Sequence, residues 1–160
     1  SIRRRRTAWG AYGVHVGLAL MVLGISFSGP YQVSREAVLG PGETITLEEY
    51  DITHDGLRQD ETTSMVFIES TLTVSKDGRK LGTLTPQRRL YRKFDSPFAE
   101  VSVIPGLGDE LYATLLSADE DDNVTIKVSV NPLVNWIWIG GTLMCLFPLL
   151  ALTRRKERKA

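Results

Sequence analysis

Cysteine is almost missing from this chain of 160 residues, which carries Cys145 and no other. A lone thiol makes no intrachain disulfide, and its place in an uncharged stretch suits a small apolar residue. The middle of the chain has no cysteine at all, so neither a disulfide scaffold nor a thiol redox carrier is expected there. Histidine is nearly as scarce, with only His15 and His54. Charge is absent from two long runs, 28 residues from Thr7 to Ser34 and 26 from Val128 to Thr153. Each exceeds the roughly 20 residues that a helix needs to cross a hydrocarbon core.

What charge there is has been sorted. Formal net charge is zero, and no nucleic-acid partner is expected. Four arginines, Arg3 to Arg6, open the chain, and Arg154, Arg155, Lys156, Arg158 and Lys159 stand near its end with Glu157. The remainder holds 10 basic and 18 acidic residues. A basic–acidic–basic chain with two apolar runs between the blocks reads as a multi-pass membrane protein, both termini cytoplasmic and the centre extracytoplasmic. The expected divisions are a basic tail over 1–8, a span over 9–29, an extracytoplasmic domain over 30–131, a second span over 132–153 and a basic tail over 154–160. A cleavable signal peptide fits the first run poorly, because the run is long and no short apolar core precedes its Ser/Gly end. The first residue is Ser1 rather than Met, so the chain is expected to be a piece of something longer.

Trp9 suits the cytoplasmic interface of the first span. At about 100° per residue, Gly10, Gly13, Gly17 and Gly24 fall within about 60° of one another, a smooth stripe for close helix packing. His15 falls on the opposite side with Ala11, Ala19, Val22 and Ser26. In the second span Trp136 and Trp138 suit the outer interface, Gly140 and Gly141 permit close packing, and Pro148 is placed to kink the inner half. No group there titrates, and a packing and anchoring helix is expected.

Between the spans the sequence is β-rich. "ETITLEEYDI", "SMVFIESTLTV", "LGTLTPQRRLYR", "AEVSVIPG", "ELYATLLSA" and "VTIKVSVNP" are rich in β-branched residues, and Asp77-Gly78 is a hairpin turn signal. Spacing of about ten residues predicts a small antiparallel sandwich or barrel-like domain, hence an α+β membrane protein. "ADEDDN" (118–123) lacks the ordered ligands and turn glycine of a calcium loop and reads as a solvated hairpin tip. His54 in "ITHDGL" reads as a surface turn residue, and Ser64, Ser70 and Ser75 have no nucleophile-elbow context. "PQRRLYRK" is a basic patch in an acidic domain: either a solvated strand face or a contact, through Arg88 and Arg89, to an anion such as a propionate or an acidic partner segment.

His15 stands about six residues, or roughly 9 Å, inward from Trp9. Ionisable groups at that depth face a bundle interior, where they pair, relay protons or bind a ligand. Two readings stand: a neutral imidazole hydrogen-bonded to a neighbouring helix, or a ligand. Haem iron is one such option, since small residues one turn away leave room for a flat macrocycle. One helix supplies one axial ligand, so a six-coordinate site needs another helix from outside this chain. A non-catalytic two-span adaptor, whose β-domain binds other envelope proteins, is the alternative from a different class.

"HVGLALMVLGISFSGPYQVSREAVLGPGETITLEEYDIT" (His15–Thr53), "PQRRLY" (Pro86–Tyr91), "DELYATL" (Asp109–Leu115) and "NPLVNWIWIGG" (Asn131–Gly141) together resemble, in the same order, the C-terminal portion of the CcmF/NrfE/CycK family. These are the cytochrome c-type biogenesis proteins of the bacterial haem lyase. The resemblance implies a role in holocytochrome c synthesis: haem taken from a haem chaperone and attached to apocytochrome c at a CxxCH motif in the periplasm, with a thiol-handling subunit as a further partner. It also implies a b-type haem held between two transmembrane histidines, of which His15 matches the second. The other axial ligand and the haem-handling segment belong to the family's upstream region or a partner subunit. No complete active site is therefore expected in this chain, which would be a fragment or one product of a split protein.

Overall fold

The computed structural model of the chain describes residues 2–94 and 96–152. The C-terminal basic cluster lies outside them. Helix α1 (Ile2–Ser28) leads into ten strands: β1 (Val33–Leu39), β2 (Thr44–Leu47), β3 (Tyr50–Glu61), β4 (Met65–Lys76), β5 (Arg79–Leu84), β6 (Gln87–Tyr91), β7 (Phe98–Glu100), β8 (Ser102–Ile104), β9 (Asp109–Ala118) and β10 (Val124–Pro132). Helix α2 (Val134–Leu152) closes the described part.

The strands form a β-sandwich. One sheet has the order β1-β10-β9-β8; the other runs β2-β3-β4-β6-β7, with β5 also paired to β4. Every pairing is antiparallel. Period-two alternation builds the core between them, because successive side chains point to opposite faces. Ile52, Leu72, Val74 and Leu84 come from one sheet and Leu111, Leu115, Ile126 and Val128 from the other, all buried. Asp77 and Gly78 sit at φ 52° and 73° between β4 and β5. Both values lie in the left-handed region that a two-residue hairpin turn needs. The run "ETITLEEYDI" is two strands rather than one, turning at Glu48 and Glu49. Strand β1 has no clear strand pattern in the sequence: its Ser-Arg-Glu run breaks the apolar pattern, and the strand is held by pairing to β10.

That pairing decides where the helices go. The first strand lies beside the last, with Val33 opposite Val130, so α1 enters and α2 leaves at the same end of the sandwich. The helices pack as an antiparallel hairpin along the glycine stripe. A Cβ on Gly24 would stand 2.6 Å from Ile137 Cγ1, and one on Gly17 would stand 2.7 Å from the carbonyl oxygen of Gly140. A Cβ on Gly13 would collide with the Phe147 ring. Gly140 is equally tight against Gly17 and Met21, whereas Gly141 faces open space and takes no part in the crossing. Among the described residues, Ala8–Ser28 is the one helix long and apolar enough to cross a membrane; the apolar part of α2, Val134–Leu149, is shorter.

Candidate functional site

The face of α1 opposite the glycines is uncovered. Ala11, His15, Ala19, Val22 and Ser26 are all exposed there, while Gly10, Gly13, Gly17 and Gly24 are buried. The glycines thus aim the imidazole away from α2. His15 Nδ1 lies 2.7 Å from the carbonyl oxygen of Ala11, one turn back on the same helix. A carbonyl only accepts, so Nδ1 is the donor, and in the neutral ring the lone pair is then on Nε2. A ring fixed in this way presents one directed basic nitrogen to whatever lies beside the helix. Ala11 and Ala19, one turn before and one turn after His15 on the same face, are small and exposed. Among the described residues, no three His, Cys, Asp or Glu side chains converge to hold a bare metal ion. The donor set here is one imidazole, which matches a ligand that brings its own equatorial donors, as a haem does.

Arg88 and Arg89 do not join this site. His15 is thirteen residues before the end of α1, about 20 Å along the helix axis, and the arginines lie beyond it in β6. Nor do they act together. Arg89 donates to Gln87 Oε1 at 2.8 Å and pairs with Glu100 at 2.5 Å, while Gln87 reaches Glu69 across the sheet. Its charge is therefore spent within the domain. Arg88 falls on the opposite face, opposite Ile68 and Ala99 in the register, and is half-buried beside the core.

His54 corrects the sequence reading outright. It is not a surface turn residue but a fully buried strand residue of β3. Nε2 donates to the carbonyl oxygen of Asp122 at 3.2 Å, and the buried Ser70 hydroxyl donates to Nδ1 at 3.1 Å. Both nitrogens are committed, so the ring bridges the two sheets and pins the acidic tip from beneath. The signal was present in the sequence: Tyr50, Ile52 and His54 alternate on one face, and that face is buried. A register shift between His54 and Gly56 follows immediately, which is what the polar "HDG" marks.

Where the helices meet the sandwich there is a cavity of about 370 Å³, lined among others by Tyr31, Glu48, Glu49 and Asp109. Tyr50, buried next in sequence to Glu49, donates to Asp109 Oδ2 at 2.9 Å. Burial, and then the Asp109 carboxylate, push its phenol well above the usual range. This bond ties the two sheets together at the junction. At another place on the sandwich, Tyr91, Phe94 and Phe98 form an edge-to-face trio with centroids 5.8–6.5 Å apart, and both phenylalanines are exposed.

The family described as CcmF C-terminal beta-sandwich matches residues 30–132. Among curated relatives, the cytochrome c-type biogenesis protein CcmF of Pseudomonas aeruginosa is 34% identical, over 96% of this chain and 23% of its own length. The Escherichia coli protein of the same name is 30% identical, over 94% of this chain and 23% of its own. The cytochrome c-type biogenesis protein CycK of Bradyrhizobium diazoefficiens is 28% identical, over 96% and 23%. A solved structure titled cytochrome c heme lyase CcmF shares the fold with a TM-score of 0.77 at 24% identity, covering 96% of this chain and 26% of that one. The chain thus spans about a quarter of the length of the relatives it matches.

Proposed function

Since this chain belongs to the CcmF family of cytochrome c-type biogenesis proteins and corresponds to a C-terminal portion of them, we propose that it serves the haem lyase step of cytochrome c maturation. In this reading α1 and α2 cross the inner membrane, both termini are cytoplasmic, and the β-sandwich lies in the periplasm. His15 supplies one axial ligand to a b-type haem. The second ligand comes from the upstream region or a partner subunit. Bound there, such a haem supplies one-electron chemistry beside the haem to be transferred, while the haem chaperone, apocytochrome c and its thiol-handling subunit are the other partners.

One observation carries the ligand assignment: the Nδ1–H to Ala11 bond, which leaves Nε2 as a directed lone pair on the uncovered face of α1. The neutral partner-bonded imidazole, the other reading of His15, needs no such preset tautomer. The local chemistry of the chain is modest and specific. Ala11 fixes the ring, the glycine stripe fixes the helix behind it, and Ala11 and Ala19 keep the neighbouring turns of that face small. In the purified parent complex, His15→Ala is expected to abolish the b-haem bands of the reduced-minus-oxidised spectrum and, with them, cytochrome c maturation. If both are unchanged, the ligand assignment is wrong. The adaptor reading then takes its place, favoured by the exposed Phe94 and Phe98 as a docking surface.

A further inference from the structure

The loop between β8 and β9, Pro105-Gly106-Leu107-Gly108, belongs to the sandwich by sequence but is bolted to the second helix. The Leu133 amide donates to the carbonyl of Gly108 at 2.6 Å. Asn135 Nδ2 donates to the carbonyl of Gly106 at 2.7 Å, and Trp136 Nε1 to that of Leu107 at 2.7 Å. Three consecutive carbonyls are therefore held by the residue before α2 and by its first turn. The loop is also shaped from within, since a Cβ on Gly106 would overlap the carbonyl oxygen of Asp109. Despite this anchoring Leu107 is 70% exposed, more than any other large apolar side chain among the described residues. A floppy loop exposes a leucine by default; this one holds it out on a fixed backbone.

The height of the loop decides what meets it. Its carbonyls sit level with the first turn of α2, beside an indole whose N–H they occupy. At the end of the other helix Phe27 stacks at 5.4 Å on Tyr31, in the turn that follows α1, and both rings are exposed at the same junction. Aromatic rings at the ends of apolar helices mark the headgroup layer, where one end is apolar and the other finds hydrogen bonds. The four loop residues carry no charge, although the domain they come from is acidic. We propose that Pro105–Gly108 is a lipid-contacting foot of the sandwich, with Leu107 entering the boundary between headgroups and acyl chains and setting the standing angle of the domain on the bilayer. The foot rests on the reading that α1 and α2 cross the membrane.

Three cysteines introduced one at a time in a Cys145→Ser background, each carrying a nitroxide, test the foot and that reading separately: Leu107→Cys, Val22→Cys on the exposed face of α1, and Val38→Cys near the far end of β1. The full chain is placed in phosphatidylcholine–phosphatidylglycerol vesicles, and collision with molecular oxygen is compared with collision with a water-soluble nickel chelate. The expected oxygen-to-nickel ratio is severalfold higher at 107 and 22 than at 38. A water-like ratio at 107 with a lipid-like ratio at 22 overturns the foot and leaves the spanning helix standing. Shielding of 107 from both reagents overturns it in favour of a protein neighbour. A water-like ratio at 22 overturns the spanning reading, and the foot with it.

Discussion

His15 and His54 divide the chain's imidazole chemistry between them. His15 lies among alanines and valines on an exposed helix face, uses one nitrogen on its own backbone and leaves the other uncommitted. His54 lies between two sheets, with Ser70 on one nitrogen and Asp122 on the other. The second ring is held for the chain itself; the first is the one proposed as a ligand. Satisfaction of both ring nitrogens, rather than the polarity of the neighbouring sequence, marks His54 as a structural tie and sets it apart from the ring proposed as a ligand.

The contrast can be broken from either side. Its largest expected effect is the loss of the b-haem spectrum in His15→Ala, accompanied by an unchanged thermal transition of the sandwich. A fall in that transition would mean that His15 is structural after all. His54→Ala should do the reverse. It empties a fully buried site and leaves the Ser70 hydroxyl and the Asp122 carbonyl unpaired, which costs about 3 kcal/mol. Chemical denaturation would measure it, and an unaltered midpoint would refute the bridging role. Ser70→Ala removes one of the two partners and should cost about 1 kcal/mol. A loss as large as that of His54→Ala would show that the ring depends on Ser70 alone.

The smallest effect concerns a phenol held by the same logic as His54. Tyr112 donates to Glu110 Oε2 at 2.7 Å, and burial, followed by that carboxylate, pushes its phenol up to about 12. A folded-state value above the unfolded one means that the native state holds the proton longer. The contribution is present in full below about pH 10 and is lost as pH climbs towards 12. Thermal melts followed by circular dichroism from pH 8 to 12 should show that decline, and Tyr112→Phe should flatten it. At neutral pH the same substitution should cost no more than about 1 kcal/mol. An equally steep alkaline limb in the variant would assign the decline elsewhere, Tyr50 being the other phenol raised by burial and a carboxylate.

Features with a local cause were legible in the sequence. The Asp77-Gly78 turn, the glycine stripe and most strands follow from backbone conformation and periodicity over a few residues. The sandwich itself is the one of two expected architectures that the chain adopts. What escaped depends on distant partners. Arg88 and Arg89 are adjacent in sequence but lie on opposite faces of β6, and the charge of Arg89 is cancelled by Glu100, eleven positions on. The clamp from Asn135 and Trp136 to the β8–β9 loop reaches across 29 residues. His54 lay between these cases. Its alternation with Tyr50 and Ile52 was local, but its partner Asp122 sits 68 residues away.

The crossing of Gly17 with Gly140 has a consequence for parts of the molecule that it does not touch. Backbone meets backbone there, and turning α1 by one residue, about 100°, would bring Val16 or Leu18 into a space that admits only hydrogen. The helix is keyed like a shaft in its slot. The direction in which His15 points is therefore set on the side of α1 opposite the imidazole, and a methyl group added at Gly17 would misalign the ring without altering its chemistry. Because α1 and α2 continue into neighbouring strands of one sheet, a torque on the sandwich would arrive at the imidazole as a change of bearing.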